Sequence, residues 1–345
     1  MAGRECPATP QAGSALTPTP VFLFSLPRSG STLVQRMLAT SPEVATTTEP
    51  WVLLPQLYAF RLDGAYAEYG HRTAARALAD FCATMPGGRR AYLDEVRRSV
   101  LALYGRAAGE AVYFLDKTPR YHLVVDEILE LFPEARCIFL WRHPLAVAAS
   151  MIESFGSGRW NLFRYEVDLY GGLERLVAAR SRSRSCHAIR YEDVALAPAT
   201  AITQLFSFLE LPVPGDTLDT FARVRMNGRM GDRIGTGTYS AVTAEPLKKW
   251  QATMSNPLRK RWCREYVKWI GPERLEIMGY DKEGLLAELD GLPAGGRAVC
   301  SDVVHRAHGR LYRRRVARVT ARRSGPSPQP VKAPADPAGT PSQAA

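Results

Sequence analysis

The chain has 345 residues, 46% apolar and 23% charged, an ordinary globular balance with enough length for a sizeable core. No apolar run approaches the roughly 18 residues of a membrane-spanning helix, and residues 1–20 lack the charged-then-apolar order of a secretory signal. The net charge of +11 is local: residues 291–345 hold nine Arg and one Lys against two Asp, a net +8, which leaves +3 on the body and gives no general case for a nucleic-acid-binding domain.

In chain order, residues 1–20 read as a disordered leader. Residues 21–25, Val-Phe-Leu-Phe-Ser, form a continuous apolar run of the kind buried in a parallel sheet. The run breaks at Leu-Pro-Arg-Ser-Gly, and Leu33, Val34, Met37 and Leu38 then recur at helical spacing. A helix-rich stretch spans 65–108 and is broken at Met-Pro-Gly-Gly, 85–88. A second strand covers 112–115, followed by a polar turn at 116–119 and a helix over about 121–132. A third strand, 137–141, runs into Arg142, His143 and Pro144 and another helix. A fourth strand is expected at 188–190, before Tyr-Glu-Asp-Val and a helix over 200–209. Strands alternating with helices predict an α/β fold with a central, mainly parallel sheet flanked by helices, and ligands in such folds gather at the carboxyl ends of the strands. With no repeat and no linker before about residue 280, one domain is expected over 21–290. A basic and then Pro/Ala/Ser-rich disordered tail should follow over 291–345, within which 306–323 can form a basic helix. A solvated end and a contact with nucleic acid or anionic lipid are both open for that tail.

Cys6, Cys82, Cys137, Cys186, Cys263 and Cys300 are scattered, without a Cys-x-x-Cys pair or His at metal-ligand spacing. This suits free thiols in a reducing, cytoplasmic setting, and no metal is expected.

Strand, then Leu-Pro-Arg-Ser-Gly-Ser-Thr, then helix is the layout of a phosphate cradle. Gly30 allows close backbone approach, Ser29, Ser31 and Thr32 add hydroxyls, and the helix start presents unpaired N–H groups. An ordinary capped Ser/Gly turn is the bland alternative. Against the triphosphate loop GxxxxGK[ST], Ser25 stands for the first Gly and Ser31 for the Lys, so a triphosphate is disfavoured. A cation sits earlier instead, at Arg28.

Residues 27–32 resemble the 5′-phosphosulfate loop of the sulfotransferase superfamily, and the Arg variant resembles its bacterial and protein-tyrosine branches. The resemblance extends over about 21–280 and implies the P-loop-like nucleotide fold of sulfotransferases, with 3′-phosphoadenosine-5′-phosphosulfate (PAPS) as donor. Arg142 and Ser150, an Arg at a strand end and a Ser eight residues on, match the family's 3′-phosphate motif. Tyr191 in Tyr-Glu-Asp resembles an adenosine contact, with a packing role the alternative. The Gly-rich stretch 231–240 and the Leu-Lys-Lys-Trp that follows it loosely resemble a loop and helix closing over the nucleotide, which makes Lys249 a further binding candidate.

Sulfuryl transfer needs an in-line acceptor, stabilised charge and a base. By resemblance, Arg28 holds the 5′-phosphate and sulfuryl oxygens, Lys117 stabilises or protonates the leaving oxygen, and Glu49 in Thr-Glu-Pro is the base. His122 is the rival base, while His143 beside Pro144 fits helix capping. Trp51, Tyr58, Phe60, Tyr66 and Tyr69 can line an acceptor pocket or fill a core. A sugar, a lipid, a phenol and a peptide tyrosine are all open as acceptor, through a hydroxyl or amine. A nucleotide-dependent kinase or NTPase, and a non-catalytic anion- or nucleic-acid-binding module using the tail, are the competing readings.

Overall fold

The computed structural model describes residues 17–183, 185–228, 230, 241–293, 295–296 and 298–324, with side chains described as far as Val316. Five strands, β1 (Thr19–Phe24), β2 (Val44–Thr46), β3 (Tyr113–Asp116), β4 (Arg136–Trp141) and β5 (Cys186–Arg190), form one parallel sheet in the order β2-β3-β1-β4-β5. The expected α/β class is therefore the observed one. β2, three residues with Val44 in one core layer and Ala45 against the other, is too short to carry a pattern that a sequence reading can detect.

Helices make the crossovers. α1 (Ser31–Leu38) links β1 to β2, and α2 (Leu53–Tyr58), α3 (His71–Ala83) and α4 (Gly88–Ala108) lead to β3. The expected helix over 121–132 is split into a 3₁₀ turn, Pro119–Leu123, and α5 (Val125–Leu131), because Val124 leaves helical geometry at φ −135°. α6 (Pro144–Gly156), a 3₁₀ turn Leu162–Arg164, a π-turn Val167–Gly172 and α7 (Leu173–Arg182) join β4 to β5. Tyr191 opens a helix, α8 (Tyr191–Leu196), and α9 (Pro198–Phe208) follows with Pro198 at its first position. Among the described residues that follow are the helices α10 (Thr217–Thr220), α11 (Lys249–Met254), α12 (Pro257–Ile277), α13 (Lys282–Asp290) and α14 (Val299–Ser324).

Both faces of the sheet are covered, which is why β1 and β4 read as unbroken apolar runs. Phe22, Phe24, Cys137, Phe139 and Trp141 enter one core layer, and Val21, Leu23, Ile138 and Leu140 the other. Phe24 and Phe139 meet at 5.3 Å between ring centroids, and each such buried ring contributes about 2–3 kcal/mol. Leu33, Val34, Met37 and Leu38 fasten α1 to the second layer, fixing the loop before it.

Packed chain continues past residue 290, the expected end of the domain. Asp302 of α14 is fully buried and accepts from Arg259 Nε at 2.6 Å, Arg259 Nη2 at 2.8 Å and Asn256 Nδ2 at 2.8 Å. The same guanidinium donates to Thr253 O and Gly158 O, tying α11, α12, α14 and the end of α6 together. One acid inside a basic stretch did not announce this clasp, and α14 is docked on the body from Asp302 to Arg313, within the stretch expected to be a disordered tail. Residues 1–16 and 325–345 lie outside the described residues. Among those described, no helix is long and apolar enough to cross a membrane.

Candidate functional site

In a parallel sheet every strand ends at the same edge, so the loops after β1, β2, β3 and β4 meet there. The loop after β1 turns sharply. Arg28 has φ 70° and Gly30 φ 91°, both left-handed. A Cβ on Gly30 would stand 2.3 Å from Tyr191 Cδ2, so no larger residue fits. Leu33 is the first residue of α1 to donate within the helix, to Gly30 O at 3.0 Å, so the Ser31 and Thr32 N–H groups precede the ladder. The first turn holds no acid to offset the positive helix end.

A left-handed non-glycine costs about 1–3 kcal/mol, and Arg28 is held there by the β4 loop. Arg142 Nη1 donates to Arg28 O at 2.9 Å, and Arg28 Nε donates to Ser150 Oγ at 3.2 Å. The Arg142 guanidinium lies 4.3 Å over the Tyr191 ring and also reaches Pro246 O at 3.4 Å. Arg28, the Arg142 and Ser150 pair, and Tyr191, which come from three separate stretches of sequence, are therefore one interlocked group. Tyr191 is buried as the platform beneath Gly30 and Arg142.

On the other side, Lys117 Nζ lies 2.7 Å from Glu49 Oε1, with Lys117 1% exposed. The Trp51 indole donates to Glu49 Oε2 at 3.1 Å. The support beneath this pair was not foreseen. Buried Asp116 accepts from Tyr104 Oη at 2.6 Å, Tyr121 Oη at 2.8 Å and Thr118 Oγ1 at 3.0 Å. Thr118 Oγ1 in turn accepts from Trp51 N, and Tyr121 Oη from Leu53 N, both at 3.3 Å. Asp116 thus pins the segment just after Glu49. Burial pushes its carboxyl up from 3.8 to about 6, against the lowering pull of its three hydroxyl donors and of Lys117.

A cavity of about 410 Å³ opens at this edge, a size in the usual range for small-molecule sites. The loop residues Pro27, Arg28, Gly30, Ser31 and Thr32 form one wall with Arg142, and Glu49, Trp51, Pro119 and Arg120 form another. Phe155, Tyr165 and Met230 add apolar surface.

A model of the sulfotransferase family matches residues 20–215, more than half of the chain. The chain belongs to the sulfotransferase family. The nodulation protein NoeE of Sinorhizobium fredii (strain NBRC 101917 / NGR234) is 35% identical over 147 residues, which is 41% of this chain and 33% of that protein. The match thus spans about a third of the length of that relative. The sulfotransferase domain from the curacin biosynthetic pathway is 23% identical, with a TM-score of 0.49 and coverage of 68% of this chain and 91% of that one. Mouse sulfotransferase SULT7A1, complexed with PAP, is 14% identical with a TM-score of 0.44, covering 79% of this chain and 88% of that one.

Some expected residues of this sulfotransferase-family chain stand apart from the cavity. His122 is buried with Nε2 2.8 Å from Asp168 Oδ1, and a Gly172 Cβ would meet its ring at 2.9 Å. His143 caps α6, its Nδ1 accepting from Ala146 N at 3.3 Å, and stacks on Trp250. Lys249 is exposed and pairs with Glu245 at 2.9 Å. Ser29 is buried in the turn, its N–H on Leu26 O at 3.3 Å. Of the five aromatic residues proposed for an acceptor pocket, only Trp51 is among the described lining residues. Tyr66 and Tyr69 are exposed, and Phe60 packs on Tyr92. The Gly-rich stretch 231–240 lies outside the described residues. Sequence reasoning missed Arg120, whose Nε is held 2.7 Å from buried Asp168, although its position three residues after Lys117 was a signal. Tyr165 and Phe155 carried none, because isolated aromatics beside helices look like core.

Proposed function

We propose that the chain transfers a sulfuryl group from PAPS to a hydroxyl or amine of an acceptor. The observation that carries this reading is the coupling of two phosphate subsites: Arg142 holds Arg28 O at 2.9 Å, and Arg28 holds Ser150 at 3.2 Å. One half is a loop with free N–H groups at a helix start, the other an Arg–Ser pair, and a donor with a 5′-phosphosulfate and a 3′-phosphate asks for both. Ser31 stands where a triphosphate site carries Lys, which weighs against ATP.

In this reading, Arg28 and the N–H groups of Ser31 and Thr32 hold the 5′-phosphosulfate, and Arg142 with Ser150 the 3′-phosphate. Tyr191 fixes the shape of both subsites from below. Ser29 shapes the turn, and Lys249, exposed and paired with Glu245, takes no part. Glu49 takes the proton of the acceptor as its oxygen or nitrogen attacks sulfur. The bond from sulfur to the 5′-phosphate oxygen breaks, and Lys117 neutralises the charge that forms on that oxygen. Lys117 and Glu49 are already 2.7 Å apart, so attack and departure are served by one linked pair. Trp51 holds the second carboxylate oxygen, and Phe155 and Tyr165 offer the acceptor an apolar wall. A cytoplasmic setting accords with Cys82, Cys137, Cys186, Cys263 and Cys300 all being free thiols.

Calorimetric titration with 3′-phosphoadenosine-5′-phosphate and with ATP tests the reading. The bisphosphate should bind at least tenfold tighter, and both Arg28→Ala and Arg142→Ala should abolish that preference. ATP binding equally or more tightly would overturn it.

A further inference from the structure

The last helix carries a surface that neither the fold nor the cavity uses. Among its described side chains, α14 docks along one stripe. Asp302 and Gly309 are buried, and Ser301, His305 and Arg306 are half-buried. Arg306 donates to Leu258 O at 2.8 Å and lies 4.3 Å over the Trp160 ring, a Cβ on Gly309 would meet Phe163 at 2.7 Å, and Arg313 pairs with Glu166 at 2.6 Å. These residues recur at helical spacing, so the opposite stripe faces outward. It holds Val304 at 65% exposure and Leu311 at 63%, two turns apart, beside Val303 at 56%. Arg310, Arg314 and Arg315 are exposed around them.

The helix has eight Arg and a single acid, Asp302, which Arg259 already neutralises. The outward stripe is therefore aliphatic and cationic, with no acid of its own. Phosphate neutralisation alone would account for the arginines and leave Val304 and Leu311 in water. An anionic bilayer satisfies both, because guanidinium groups meet the headgroups while aliphatic side chains enter the acyl boundary. Twenty-six residues of helix extend about 39 Å, ample for lying in the headgroup plane.

We propose that the outward face of α14 docks on an anionic lipid surface. Near such a surface each Arg is worth about a fivefold gain in partition, so Arg310, Arg314 and Arg315 together favour anionic over neutral lipid by about a hundredfold. The helix rests on Leu162–Arg164, with Tyr312 5.3 Å from Phe163, directly before Tyr165 of the cavity wall. Docking holds that wall close to the lipid.

Co-sedimentation of the full chain with vesicles tests this, using phosphatidylcholine alone and phosphatidylcholine with about 30% phosphatidylglycerol. The chain should sediment with the anionic vesicles and stay in solution with the neutral ones. Arg314→Gln with Arg315→Gln should lower the anionic partition by about twentyfold, and Val304→Ser with Leu311→Ser should lower it by tenfold or more. All four positions are exposed, so thermal melting and 3′-phosphoadenosine-5′-phosphate binding should be unchanged. Failure to sediment, or equal sedimentation with both vesicles, overturns the proposal. A duplex oligonucleotide that displaces the chain from vesicles and binds the Val304→Ser, Leu311→Ser variant at full strength would reassign the face to nucleic acid.

Discussion

Asp116 ties the stability of the site to pH with a sign opposite to that of most carboxylates. Folding moves its carboxyl from 3.8 to about 6 because the group is fully removed from water, and three hydroxyl donors do not recover the lost solvation. The folded state therefore binds this proton more tightly than the unfolded state. Its stabilising effect is complete below pH 3.8 and is lost as pH rises through about 6. The gap of about two units corresponds to about 3 kcal/mol. Asp116→Asn removes the titration. Urea denaturation of both proteins at intervals from pH 4 to 7.5 isolates it, since other titrating groups cancel in the difference. The stability of the natural protein relative to Asp116→Asn should fall by about 2.5 kcal/mol across that range, which is about 1 M in urea midpoint for a chain of this size. A difference that stays flat, or that rises with pH, would refute the argument from desolvation.

Glu49→Gln should lower turnover by about 10²–10⁴-fold with nucleotide affinity within about twofold, measured by transfer of labelled sulfate and by calorimetry. Equal losses in both would make Glu49 a binding residue. Gly30→Ala meets Tyr191 at 2.3 Å from a φ of 91° and should cost about 2–5 kcal/mol, read by thermal melting together with loss of bisphosphate binding. Asp302→Ala leaves Arg259 buried without its carboxylate and should cost about 3–5 kcal/mol in denaturant titration, while the folded fraction keeps its nucleotide affinity.

Much of the loop between β1 and α1 is local chemistry, and local chemistry is legible in sequence. An apolar run, a Pro-Arg-Ser-Gly turn and a helix with Leu33, Val34, Met37 and Leu38 on one face sit within a short window. The observed β1, turn and α1 follow that pattern. The α/β class was legible for the same reason, since buried parallel strands are written as continuous apolar runs. Motif resemblance added Arg142, Ser150, Lys117 and Glu49 as candidates, but spacing alone does not say which of them meet.

Tertiary structure decided the meetings. Lys117 and Glu49 are 68 residues apart in sequence and 2.7 Å apart in space because β2 and β3 end side by side in the sheet. Strand order is a long-range property, set by how both faces are buried, and no local window contains it. The same holds for Asp116, which looked like a turn residue and proved to be the buried anchor of the segment after Glu49. His122 looked like a candidate base, and packing sealed it against Asp168 away from the cavity. The basic tail was legible as charge, whereas its docking rests on contacts with distant segments, the Arg259–Asp302 ion pair foremost among them. Residue types and local periodicity thus determined the turn between β1 and α1 and the layered fold. Sheet order and burial decided which charged groups face one another, because those pairings exist only once distant segments share a dry interior.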